Sequence, residues 1–142
     1  MTVSAGLPAD VQHRTLARDS LKMLDSLVNS NKILNNLVSR QYAKRALVIA
    51  TLMNSDTALA NAYKMLGIAY FPSAKDTSFF YFNAALKIAD SAHILELKIP
   101  VIYNLAMIFD AAYNYKDAIR LLDSSIVLAK STNDYTGISR AY

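Results

Sequence analysis

Two histidines, one glutamate, ten aspartates and no cysteine are all that this 142-residue chain offers for metal binding or acid–base work. His13 has Asp10 near it in sequence and His93 has Asp90, yet neither has a second ligand at metal spacing. Both read as surface or capping residues. Asp10, Asp56 and Asp76 each precede an apolar-periodic stretch, where a carboxylate can accept from the free N–H groups of a helix start. Hydrolysis by paired carboxylates needs two acids facing one cleft, and no pair stands out beside the lone Glu96. No serine sits in a G-x-S-x-G elbow, and there is neither a P-loop nor a G-x-G-x-x-G turn. The residues predict no enzyme, no metal and no cofactor. Binding remains. Arg40, Lys44 and Arg45, with Lys32 two turns earlier, form a candidate basic strip for nucleic-acid phosphates, and the net charge of +4 permits it. A solvated helix face is the favoured reading of that strip. Phe79, Phe80, Tyr81 and Phe82 cannot all be buried by one helix face. Phe79 and Phe82 fit an inner stripe, and Phe80 and Tyr81 lie laterally, against a neighbouring unit or as a contact patch for a partner.

The elements that must position these residues are helices. Apolar residues make up 54% of the chain, with only three Gly and three Pro, which favours an all-α build over a sandwich or barrel. The central stretch, Ala60 to Ala89, reads as two amphipathic helices joined at Phe71-Pro72-Ser73. Ala62, Leu66, Ala69 and Tyr70 mark the first stripe; Phe79, Phe82, Leu86 and Ala89 mark the second. Gly67 costs about 1 kcal/mol of helix propensity relative to Ala, so something must come close to it, and Ala85 is the expected visitor. Asp56 and Asp76 are the expected caps of this pair, and Pro72 ends its first helix.

Upstream, Met1 to Ala9 is small, polar and Pro-containing, and is expected to be flexible. Asp10 caps a helix with Leu16, Leu21, Leu24 and Val28 on one side, broken at Asn29-Ser30-Asn31. The next helix turns Leu34, Leu37, Val38, Ala46 and Ala50 inward and Arg40, Lys44 and Arg45 outward. Downstream, Leu95 and Ile99 continue the stripe of Ile102, Ala106 and Phe109, which predicts one long helix from Asp90 kinked at Pro100. The alternative places Pro100 in the first turn of a separate helix. A further helix follows Asn114-Tyr115 and runs to about Lys130.

The text repeats. Leu66-Gly67-Ile68-Ala69-Tyr70 is echoed by Leu105-Ala106-Met107-Ile108-Phe109, and Ala85 to Ala89 is echoed by Ser125 to Ala129 at an offset longer by one. The hairpin that carries this echo should therefore have one extra loop residue. Ala46 to Ala50 anticipates the same helix end one period before Ala85, although Val28 stands where Gly67 does. Helix pairs repeated at a period of about 39 residues predict an α-solenoid. Its units lie near 10–51, 56–90 and 94–130, with a partial one at 135–142. The first pair is an atypical, end-capping one.

These residues resemble the tetratricopeptide repeat (TPR) family. Leu66, Gly67 and Tyr70 fit the first helix of its pattern, and Phe82 and Ala85 the second; Leu105, Ala106, Phe109, Ala118, Leu122 and Ser125 fit the next unit. The leading Trp is replaced by Tyr63 and Ile102, and the period exceeds the usual 34 by about five residues. Repeats of this length look like those of bacterial regulatory proteins. The resemblance implies a right-handed solenoid of about six helices plus a truncated seventh, holding a protein or peptide segment on its concave face. Placed residue by residue, the groove candidates are Asn61, Lys64, Ile68, Phe71, Tyr103, Met107 and Asp110. The carboxylate clamp of chaperone-binding members is not implied. Lys64 and Asn104 match two of its places, but Ile68 and Ser139 stand where Asn and Lys are needed.

The expected function is a non-enzymatic scaffold, the recognition or sensor part of a larger bacterial signalling protein. Two rivals are a nucleic-acid-binding repeat using the Arg40 strip and an oligomerisation module. Tyr135 to Tyr142 is too short to cover the preceding helix, so a homodimer through that end is expected. No apolar run approaches the length of a membrane span and Met1 to Pro8 is no signal peptide. The compartment stays open: cytoplasmic if Met1 is native, periplasmic if the chain is an excerpt of a sensor.

Overall fold

A computed structural model describes Gly6 and residues 8–132. Six helices account for nearly all of them: α1 (Ala9–Asn31), α2 (Asn36–Met53), α3 (Asp56–Tyr70), α4 (Lys75–Ser91), α5 (Leu95–Ala111) and α6 (Tyr115–Thr132). No strand occurs among the described residues. Each odd helix pairs with the next even one, and each even helix packs on the odd helix that follows. The odd helices also touch one another, α1 on α3 and α3 on α5, whereas α2 and α4 do not meet. That asymmetry curves the stack, with the odd helices inside. The chain is an all-α solenoid of antiparallel hairpins.

What the even helices bury explains how closely the hairpins close. Ser39, Ala43, Ala46 and Ala50 form the buried face of α2; Ser78, Phe82, Ala85 and Ala89 form that of α4. In α6 the matching residues are Ala118, Leu122, Ser125 and Ala129, of which Leu122 is half-buried and the rest are buried. Small residues dominate, so backbones approach closely. The Ser78 hydroxyl donates to the Gly67 carbonyl at 2.6 Å, and one period earlier Ser39 donates to the Val28 carbonyl at 2.8 Å. Both serines are fully buried. Each ties a hairpin by a bond that helix propensity would not suggest, since buried hydroxyls must find a partner.

Gly67 is met by Phe82, not by Ala85. A Cβ built on Gly67 would lie 2.6 Å from the Phe82 ring. In an antiparallel hairpin the end of α3 faces the start of α4, so Gly67 opposes Ser78 and Phe82, and Ala85 sits a turn farther on. The neighbouring hairpins distribute the same volume differently. Val28 and Ala43 occupy these places in the first, Ala106 and Leu122 in the third.

Several expected boundaries move. α1 runs through Asn29 and Ser30 to Asn31 without a break. It is longer than α2 by more than a turn, so its first turns overshoot the partner and Leu16 is left exposed. α2 starts only at Asn36, which leaves Leu34 in the turn, 95% exposed, and Leu37 on the outer face. Ser55, rather than Asp56, caps α3 by accepting from the Ala58 amide at 3.2 Å. Asp10, Asp56 and Asp76 lie inside first turns, where they face the positive end of the helix dipole. The single long helix from Asp90 does not form. α4 ends at Ser91, and His93 takes a left-handed conformation (φ 56°), as Asn54 does one period before it (φ 51°). Nor is Pro100 in a first turn: it is the sixth residue of α5. The extra residue of the third hairpin enters α5 rather than the loop, because Ala111 stands where Pro72 stops α3.

The outer face of α1 differs from that of α3. Ala58, Ala62, Met65 and Ala69 are buried on α3, whereas their counterparts on α1, Asp19, Met23, Ser26 and Ser30, are all exposed, and all but Met23 are polar.

Gly67→Ala tests the close approach. Overpacking against the fully buried Phe82 ring outweighs the propensity gain, for a net loss of about 1–2 kcal/mol in urea unfolding. Combining it with Phe82→Leu should recover part of that loss; simple additivity of the two variants would argue against the contact.

Candidate peptide-binding groove

On the inner side the odd helices repeat one face. Lys64, Ile68 and Phe71 follow each other at helical spacing at the end of α3 and just past it, and Tyr103 and Met107 are the counterparts of Lys64 and Ile68 on α5. These five line a single groove of about 650 Å³. α1 and its turn add Asn29, Lys32 and Ile33; the α3–α4 turn adds Pro72; α5 adds Pro100 and Asn104. Of the seven expected groove residues, Asn61 and Asp110 are not on this lining. Asn61 is half-buried a turn before Lys64, and Asp110 is exposed at the end of α5.

The groove residues that spacing alone misses are still legible in the register. Asn29 and Lys32 are the counterparts of Ile68 and Phe71 one period earlier, but the expected break at Asn29-Ser30-Asn31 takes Asn29 off the helix. Pro72 and Pro100 read, in sequence, only as punctuation.

The lining carries two cations, Lys32 and Lys64, and no acid. Both lysines are half-buried. The ion pairs among the described residues are Arg14–Asp10, Lys98–Asp90 and Arg120–Asp117, so neither groove lysine is neutralised by a salt bridge. Lys75 lies 4.2 Å from the centre of the Phe71 ring and donates to the Phe71 carbonyl at 2.6 Å, which steadies the groove's edge. The Asn104 side chain donates to the Pro100 carbonyl at 2.7 Å. Pro100 has no N–H to return to the Glu96 carbonyl one turn earlier, a cost in mid-helix. Ile68, Phe71, Tyr103 and Met107 supply apolar floor, all half-buried.

Other candidates disperse. The basic strip splits, because Lys44 and Arg45 are exposed while Arg40 turns inward against Tyr70. Phe79 leaves the inner stripe, 39% exposed, and meets Phe109 of α5 edge-on at 5.9 Å. Tyr81 stacks on Tyr63 and meets Tyr70 of α3 at a tilt, Phe80 is exposed, and only Phe82 of the four is fully buried. His13 and His93 are exposed, and no group of acids and histidines among the described residues could hold a metal. No described helix is long and apolar enough to cross a membrane. A second hollow of about 660 Å³ runs along α5 and α6 past Ile102, Ile119 and Val127. The expected self-association concerns that end, and Tyr135 to Tyr142 lie outside the described residues.

Compared with models of known protein families and with curated proteins, the chain finds no match.

Pro100→Ala restores a helix hydrogen bond at the groove. It should raise the free energy of unfolding by about 1–2 kcal/mol, measured by urea titration. An unchanged or lower value would mean that the ring's packing, not the backbone, decides the site.

Proposed function

We propose that this protein is a non-enzymatic scaffold that holds a segment of another protein on its concave face. One observation carries the reading: a single groove crosses three successive odd helices, its floor apolar and its only charges two unpaired lysines. Such a surface favours a segment that places an apolar side chain on Phe71, Tyr103 and Met107 and a carboxylate near Lys32 or Lys64. A volume of about 650 Å³ lies within the range that encloses small ligands or a few side chains. The likeness of the repeats to tetratricopeptide units of bacterial regulatory proteins supports a place in the recognition part of a signalling protein. Arg40 packs on Tyr70 while Lys44 and Arg45 stay exposed, which weighs against the nucleic-acid reading.

Selection of a random peptide library displayed on phage against the full chain tests this. Enriched peptides should pair an apolar residue with an acid, and their titration should shift the amide resonances of Ile68, Phe71, Tyr103 and Met107. Tyr103→Ala with Met107→Ala should weaken them about 10–100-fold, since a few anchors carry most binding energy. Lys64→Glu should weaken them too, and added salt should narrow that difference by screening. Peptides indifferent to all three substitutions would refute the groove.

A further inference from the structure

Arg40 is the half-buried cation of the seam between the first two hairpins. Its guanidinium carbon lies 4.3 Å from the centre of the Tyr70 ring, at the end of α3. Its Nη2 donates to the Ser73 hydroxyl, which also faces the Asn36 amide at 3.5 Å. Nε is enclosed and has no hydrogen-bond partner among the described residues. Ser73 belongs to the same short turn as Phe71 and Pro72, and those two line the groove. Arg40 therefore grips, from a helix of the preceding hairpin, the turn that forms one wall of the groove.

The register shows what an ordinary seam looks like here. One period on, Phe79 and Phe109 occupy the places of Arg40 and Tyr70 and meet edge-on. That apolar pair brings no donor of its own, and the ion pair of Lys98 with Asp90 crosses the same seam at its other end. At the first seam a guanidinium accepts an unpaired N–H in order to reach past the ring to Ser73. A planar fork can stack on an aromatic face and donate sideways at once, which neither Lys nor an apolar chain can do. We infer that Arg40 is a positioning residue for the groove, fixing the Phe71-Pro72-Ser73 turn against α2. This rests on the groove reading for its consequence, though not for its geometry.

Amide hydrogen exchange and peptide titration of the full chain test it, with Arg40→Lys, Arg40→Met and Ser73→Ala. Arg40→Met copies the apolar seam and keeps the slot filled should the lysine variant fold poorly. The Ser73 and Ala74 amides, which donate to the Tyr70 carbonyl, report on the turn. Their exchange should quicken about tenfold in both Arg40 variants, and less in Ser73→Ala. The matching turn of the third hairpin, at Tyr113 and Asn114, should keep its rates. Phage-selected peptides should bind about fivefold more weakly at a temperature where every variant is folded. A merely structural role would lower the melting temperature without singling out Ser73 and Ala74, and that pattern overturns the inference. So does a loosened turn with unaltered peptide affinity. A selection returning no groove-binding peptide would sink the groove reading instead, and leave exchange to decide whether Arg40 holds the turn.

Discussion

The hairpins close around one recurring contact: the end of an odd helix against the fourth residue of the next helix and the one a turn later. Ser39 on the Val28 carbonyl and Ser78 on the Gly67 carbonyl fix it by hydrogen bonds, and Phe82 over Gly67 fills it. The third hairpin has Ala118 in the serine's place and fills the position with Ala106 and Leu122, so volume alone sets that approach. One of its helices carries a cost elsewhere, since the buried Ser125 hydroxyl, where the other hairpins have alanine, has no hydrogen-bond partner among the described residues. Once the closing distance is set, the inner face of the odd helices follows, and the groove with it.

The solenoid was legible because its internal echo survives substitution at most positions. The period fixes which residues are equivalent, whatever their identity. What the sequence hid was the size of the buried residues on the even helices. Leu34 and Leu37 looked inward because they are large, yet the buried faces of α2 and α4 consist mainly of Ser and Ala. Hydrophobic weight misleads where close approach is the constraint. The Asp residues misled in a related way. They mark helix starts correctly, but they sit inside the first turn and act by charge, while Ser55 makes the side-chain cap. At the groove, the resemblance and the spacing together named seven residues, of which Lys64, Ile68, Phe71, Tyr103 and Met107 line one hollow and Asn61 and Asp110 do not. Asn29, Lys32, Pro72 and Pro100 needed the true helix ends and the curvature, which no local pattern encodes.

Around the groove the chain departs from its own economical rules. Pro100 interrupts a helix ladder, and Arg40 leaves a donor unpaired where the next seam sets one phenylalanine against another. Local departures of this sort tend to gather where a protein does its work. Here both lie on, or directly behind, the same concave surface.

The odd helices touch along the stack, but α2 and α4 do not. Mechanically, the inner side is then a continuous chord and the outer side a row of separate ribs. A change of curvature therefore involves no contact between α2 and α4; it bears on the chord of odd helices and on the seams, where a cation meets a tyrosine and a phenylalanine meets a phenylalanine. The proposed segment would lie along that chord, across α1, α3 and α5, on the side where successive hairpins already touch.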